Sequence, residues 1–204
     1  MRVLPVGRRA LLVEVEDTGR AQALHAELVR LREAGGLPPV EEIVPAAVTV
    51  LLDGVADPAA LAERLRHLRV PRTVPADAAP VVLPVRYDGP DLAEVASLWG
   101  VAEEEVAAIH SGTGFRVAFC GFAPGFGYLT GLPERFHVPR LATPRTAVPA
   151  GSVALAGPYT GVYPRTSPGG WRLIGRTDAV LWDVAREPVA LLSPGTRVRF
   201  EAVG

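Results

Sequence analysis

Lysine and asparagine do not occur in this 204-residue chain, and cysteine occurs once. Each absence removes a class of chemistry. Without lysine there is no P-loop amine to set against nucleotide phosphates, and no amine for a Schiff base with pyridoxal phosphate or a carbonyl substrate. Nor can the chain itself carry biotin. Without asparagine there is no Asn-X-Ser/Thr glycosylation acceptor. Cys120, standing alone, forbids an internal disulfide framework and fits a reducing, cytoplasmic setting. No apolar run reaches the roughly 18 residues that a membrane span needs. The start, Met1 to Pro5 (MRVLP), lacks the apolar stretch and cleavage site of a signal peptide. Acidic and basic residues nearly balance, 22 against 21, so the net charge of −1 gives no general case for nucleic acid. All 21 basic residues are arginine, which codon bias in a GC-rich genome accounts for; the exclusions hold under any cause.

What is abundant is glycine (21) and proline (20), in a chain that is nonetheless 49% hydrophobic with a mean hydropathy of +0.23. That combination argues for a folded core crossed by many turns, in one large or two small domains. The first seventy residues read as a small α+β unit in the order ββαββα. Val3–Val6 and Ala10–Glu16 are β-rich runs around a Gly7-Arg8-Arg9 turn. Thr18 caps a helix over 20–34, whose Ala21, Leu24, Leu28 and Leu31 recur at helical steps until Gly35-Gly36 stop it. Glu42–Val44 and Val48–Leu52 form a second strand pair, and Asp57-Pro58 opens a second helix with Leu61, Leu65 and Leu68 on one face. The Pro/Ala-rich stretch 71–80 is the expected connector, dividing a domain over 1–75 from one over 81–204. Val81–Arg86 reads as a strand. Asp91 and Glu94 have capping-box spacing for a helix ending at Gly100, and Glu103–His110 reads as another helix. Short apolar runs then follow at Phe115–Phe119, Ser152–Ala156, Trp171–Ile174, Val189–Leu192 and Arg197–Val203. They predict a mainly-β domain, closed or sandwiched, with long functional loops.

Most motif readings fail on spacing. Gly125, Gly127 and Gly131 give G-x-G-x-x-x-G, one residue too long for a dinucleotide fingerprint; the loop instead presents Phe122, Phe126 and Tyr128. No C-x-x-C or H-x-x-x-H exists, and no metal site is expected. Ser152 lies outside any G-x-S-x-G, and Cys120 reads as a buried strand-end thiol. The signal that remains is electrostatic. Residues 135–177 hold six arginines (Arg135, Arg140, Arg145, Arg165, Arg172, Arg176) and no aspartate or glutamate. Such a stretch either builds a positive field that holds an anion, with Tyr163, Thr166, Ser167 and Thr177 as further donors, or turns its charges to solvent or an acidic partner.

Three motifs carry a resemblance. The stretch from Gly121 to Leu129 (GFAPGFGYL), that from Pro144 to Val153 (PRTAVPAGSV) and that from Ser167 to Thr177 (SPGGWRLIGRT) resemble the family of 5-oxoprolinase B subunits, also known as allophanate hydrolase subunit 1 or KipI-like. The likeness extends to Asp91-Leu92, His110 and the ending Pro194–Phe200, with Gly127 where the family often has proline. It implies a small α+β N-terminal domain and a cyclophilin-like β-barrel. It also implies a heteromeric 5-oxoprolinase complex. In it, a protein of this kind pairs directly with the C subunit and, with the A subunit, opens 5-oxoproline to glutamate at the expense of ATP. The ATP is bound by the complex, and the lone chain is inactive. On that footing Arg145, Arg172 and Arg176 supply charge to a small anionic substrate, and His110 is the acid–base candidate because its ordinary pKa is nearest neutrality. Gly125, Gly151, Gly169 and Gly170 allow close backbone approach, Tyr128 and Trp171 shape a wall, and Ser152, Ser167 and Thr177 add hydroxyls. Two rival readings are a regulator that inhibits a sensor histidine kinase through an apolar Phe122–Tyr128 patch, and a carboxyltransferase component acting on urea or allophanate. Prolyl isomerisation has only fold analogy behind it.

Overall fold

Alternating apolar residues and two capped helices build the first of two units. In a computed structural model, which describes residues 1–71 and 79–204, contacts divide the chain into Met1–Asp77 and Ala78–Gly204. The expected connector, 71–80, lies largely outside the described residues. The first unit runs β1 (Arg2–Val6), β2 (Ala10–Glu14), α1 (Thr18–Glu33), β3 (Glu42–Pro45), β4 (Thr49–Asp53) and α2 (Pro58–Arg66). Its strands form one antiparallel sheet in the order β1-β2-β4-β3. Asp17, not Thr18, caps α1 by accepting the Arg20 N–H at 2.7 Å, and Asp57 caps α2 by accepting from Ala60 at 3.0 Å. Leu11, Val13, Leu24, Leu28, Val50, Leu52, Leu61 and Leu65 make a core between sheet and helices.

The second unit holds β5 (Val81–Val85), α3 (Leu92–Trp99), α4 (Glu103–Ser111), β6 (Gly114–Cys120), β7 (Gly127–Thr130), β8 (Arg145–Val148), β9 (Ser152–Ala156), β10 (Tyr159–Val162), β11 (Ser167–Gly169), β12 (Arg172–Arg176) and β13 (Arg197–Ala202). Seven strands form one sheet in the order β12-β9-β10-β7-β6-β13-β5, antiparallel except for the parallel pair β13/β5. The sheet nearly closes into a barrel, because its two edges touch. Just past β5, Arg86 and the last residue of β12, Arg176, exchange both backbone hydrogen bonds at 2.9 Å. Leu83, Val85, Phe115, Val117, Leu129, Val153, Leu155, Ile174 and Phe200 fill the interior, with α3 and α4 contributing Val95 and Val106. On the outer face of β9, β10 and β12 lies a second apolar layer, Phe126, Val148, Ala154, Tyr163, Trp171 and Leu173, to which the small β8–β11 sheet contributes Val148.

Several sequence expectations change here. Val189–Leu192 is not a strand; only Ala190 bridges, to Trp182, while Leu192 turns into the core. The 121–131 stretch is not a uniformly aromatic surface loop. Phe126 is buried, Tyr128 lies half-buried on β7, and only Phe122 is exposed, at 58%. Among the described residues no helix is long and apolar enough to cross a membrane.

Candidate functional site

Segment 86–91 runs along the barrel seam, and glycine makes this possible. Gly89 donates to the Ile174 carbonyl at 3.3 Å, and a Cβ on it would lie 2.3 Å from the Leu173 carbonyl oxygen. Across the seam, a Cβ on Gly175 would lie 2.4 Å from the Arg86 carbonyl oxygen. The two backbones can meet only where both lack side chains. Meeting there, they set Asp88, Asp91 and Glu94 against the arginines of the acid-free stretch.

Three of its six arginines are thereby neutralised within the chain. Arg145 Nη2 donates to Asp91 Oδ1 at 2.6 Å, while Asp91 Oδ2 accepts the Leu173 N–H at 2.6 Å. Arg172, buried, pairs with Glu94 and donates its Nε–H to the Pro139 carbonyl at 2.9 Å. Arg176 gives Nε and Nη2 to one oxygen of Asp88, at 3.0 and 2.8 Å. Arg140 lies over the Trp171 ring, 6.0 Å from its centroid, and Arg135 over Phe136 at 4.7 Å. Acids from 88–94 therefore cancel half of the positive charge expected of 135–177.

The pairs differ in permanence. Asp91 is buried and both its oxygens are engaged, so Arg145 is locked. The Arg176 side chain is 61% exposed and that of Asp88 47%, a geometry in which an ion pair contributes about 0–1 kcal/mol and exchanges readily. Both arginines line one groove of about 540 Å³ with Asp88, Ser152, Thr177 and Asp178. Ser152 Oγ donates to Pro149 O at 2.8 Å, and Thr177 Oγ1 accepts from Ala179 at 3.3 Å. Gly151, at φ +80°, packs its Cα against the Thr177 carbonyl below them. The groove thus unites Arg145, Arg176, Ser152 and Thr177.

The other expected site residues stand elsewhere. Ser167, Gly169, Gly170 and Trp171 belong to the outer apolar layer and its cover. A Cβ on Gly169 would lie 2.2 Å from Tyr163 Oη, and Gly170 accepts the Leu141 N–H at 2.8 Å. Ser167 is buried, its hydroxyl 3.3 Å from Arg165 O. Tyr128 packs edge-on to Trp171 and stacks on Phe119. Gly125, at φ +85°, lines a separate cavity with Cys120, Phe122 and Trp182.

His110 is placed in the barrel interior, apart from both arginines. It is fully buried among Phe115 and Phe200, with Nδ1 2.8 Å from Tyr87 Oη and Nε2 3.3 Å from Thr160 Oγ1. Burial pushes its pKa down to about 3 and that of the Cys120 thiol up to about 11. The near-neutral titration that recommended His110 is removed by desolvation. Sequence reasoning missed Asp88 and Glu94 as partners of Arg176 and Arg172, and Tyr87 as the partner of His110. The usable signal was the run of acids at 88, 91 and 94 just upstream of an acid-free stretch. Among the described residues, no group of three or more His, Cys, Asp or Glu side chains is placed to hold a metal ion.

A nearly closed seven-stranded barrel with its arginine-bearing groove at the seam, joined in one chain to a four-stranded α+β unit, defines a two-domain carboxyltransferase-type protein. The chain belongs to the family of 5-oxoprolinase B subunits, matching the family described as carboxyltransferase domain, subdomain C and D, over residues 1–192. It is 35% identical to the 5-oxoprolinase B subunit of Haemophilus influenzae over 210 residues, covering 100% of this chain and 99% of that protein. It is 53% identical to the corresponding B subunit of Escherichia coli O157:H7 over 123 residues, 59% of this chain and 56% of that protein. The latter match thus spans only about half of its relative. Among solved structures, TTHA0988 has a TM-score of 0.78 at 36% identity, covering 96% of this chain and 40% of that one. The Kluyveromyces lactis urea carboxylase, at 18% identity and a TM-score of 0.73, covers 100% of this chain and 23% of that one; it shares the fold alone.

Proposed function

We propose that this chain is the B subunit of an ATP-dependent 5-oxoprolinase which, with its A and C subunits, opens 5-oxo-L-proline to L-glutamate. The observation that carries the reading is the 35% identity, from end to end, with a protein named as a 5-oxoprolinase B subunit. In this reading the barrel is of the cyclophilin-like kind and the C subunit is the direct partner. ATP is bound by the complex, which acts in the cytoplasm, and the lone chain is inactive. The groove's part is to take the substrate carboxylate. Arg176 exchanges its exposed Asp88 partner for that carboxylate, while the locked Arg145 keeps the opposite wall in place. His110, neutral and enclosed, holds Tyr87 beside the seam and takes no part in proton transfer. The kinase-inhibitor alternative needs an apolar patch at 122–128, of which only Phe122 is exposed.

The test is 5-oxoproline-dependent ADP release by this chain alone, with the C subunit, and with both other subunits together. Release is expected only from the full mixture. No release above background from that mixture would end the proposal. With the complex active, Arg176→Ala should raise KM for 5-oxoproline about tenfold or more while leaving assembly intact.

A further inference from the structure

The groove that holds Arg145 and Arg176 adjoins a second cavity along the seam, of about 300 Å³, and the two share Arg176, Thr177 and Asp178. Arg86 completes the charged lining of the second cavity. Arg86 and Arg176 face each other in the backbone pair that closes the barrel, so their side chains leave the seam on one face. Like charges at such a pair cost stability. Asp88 takes Arg176, but among the described residues no hydrogen bond or ion pair engages the side chain of Arg86. The Asp178 carboxylate is unengaged in the same way. One cavity thus holds a free cation and a free anion that the fold keeps from pairing.

Backbone bonds fix where both stand. Arg86 is held by its two bonds to Arg176. Asp178 follows buried Thr177, whose N–H donates to the Gly151 carbonyl at 2.9 Å and whose Oγ1 accepts from Ala179 at 3.3 Å, which pins the chain on either side of Asp178. The combination selects a class of ligand. A simple anion is repelled by Asp178, and a simple cation by two guanidiniums. A small molecule offering an acceptor, a donor and a second acceptor along one edge satisfies all three groups. 5-Oxoproline has such an edge in its carboxylate, ring N–H and ring carbonyl. Its two ring methylenes suit Pro84, Ala179 and Val203, the apolar part of the lining.

We infer that Asp178 and Arg86 determine specificity at the seam, Asp178 accepting the ring N–H and Arg86 donating to the ring carbonyl of a ligand whose carboxylate Arg176 holds. For the identity of that ligand this rests on the proposed oxoprolinase activity. Ring opening adds one water across the bond between carbonyl carbon and nitrogen. The carbon gains the oxygen and becomes a second carboxylate. The nitrogen takes both protons of the water and becomes an ammonium, with ATP hydrolysed alongside. Each new charge is opposite to that of the residue facing it. Both contacts therefore strengthen as the ring opens, which favours the reaction over the bound ground state.

The test measures binding by calorimetry, without ATP, on a mixture of this chain with the A and C subunits. The probes are 5-oxoproline and its carbocyclic analogue, in which a methylene replaces the ring N–H. The unaltered chain is expected to prefer 5-oxoproline about tenfold or more. Asp178→Ala, at an exposed position, should abolish that preference. Arg86→Gln leaves the backbone bonds to Arg176 in place; it should weaken both ligands about tenfold and keep the preference. A merely structural role would weaken both ligands alike in both variants. A preference unchanged in Asp178→Ala, undiminished binding in Arg86→Gln, or no saturable binding of 5-oxoproline would overturn the inference. ADP release separates it from the reading beneath it. Selective binding without 5-oxoproline-dependent release ends the oxoprolinase proposal and leaves the two specificity residues standing. Release by a mixture whose Asp178→Ala form keeps the preference does the reverse.

Discussion

Asp91 shows how much one carboxylate can organise. It is buried at the start of α3, yet its side chain does not cap that helix; one oxygen takes Arg145 and the other the Leu173 N–H. Asp91→Ala would leave a guanidinium and a backbone donor without their acceptor, at a cost of about 3 kcal/mol. Asp88→Ala removes an exposed partner and should cost no more than about 1 kcal/mol. Urea unfolding followed by tryptophan fluorescence measures both, because Trp99, Trp171 and Trp182 all lie in the second unit. Equal losses would contradict the division into a locked and an exchangeable arginine. At this scale the sequence was half legible. Six arginines without an acid among residues 135–177 drew attention to elements that the fold brings together, and Arg145, Arg176, Ser152 and Thr177 line one groove. Their counter-charges were hidden because Asp91 and Glu94 also have helix-capping spacing, and no local pattern reveals a partner 54 residues away.

Among the elements, those with strong periodicity were readable and those set by closure were not. Leu24 and Leu28 declared α1, and Leu61 and Leu65 declared α2, because buried positions repeat at helical steps. β7, β8, β10 and β11 are three or four residues long and contain Gly or Pro or lie against them, so they read as loops. Their pairing comes from neighbours in the barrel, which a linear pattern does not encode. The seam is the extreme case, resting on Gly89 and Gly175 facing opposing carbonyls at contact distance. Alanine at either position must push the seam apart, which should cost about 2–4 kcal/mol and lower the urea midpoint. Gly114→Ala, on an outward face with open space, should change stability by no more than about 0.5 kcal/mol. Comparable losses at all three positions would show that backbone freedom, and not the seam's close approach, is what glycine supplies.

For the molecule as a whole, the net charge of −1 conceals an ordered distribution. Asp91, Glu94 and Asp88, from one short segment, pair with Arg145, Arg172 and Arg176 of the acid-free stretch. The second unit encloses His110 and the first holds His25 half-buried, and this couples stability to pH. Burial lowers the pKa of His25 in the first unit, and in the second it takes His110 down to about 3. Above the ordinary histidine pKa of about 6.5, His110 is neutral whether folded or not and pH has no leverage. Below it the unfolded chain takes up a proton that the folded chain refuses, so stability falls as pH drops, by up to about 1.4 kcal/mol per unit down to the folded value. Between about pH 7.5 and 5 the second unit should lose about 2 kcal/mol through His110 alone. The loss should appear in urea midpoints read by tryptophan fluorescence, which ignores the tryptophan-free first unit and hence His25. In His110→Phe the same pH range should give a nearly flat profile, even though deleting the bonds to Tyr87 and Thr160 lowers stability at every pH. A slope unchanged by that substitution would mean that His110 takes up its proton inside the folded barrel, and that the Tyr87–His110–Thr160 chain opens to water in solution.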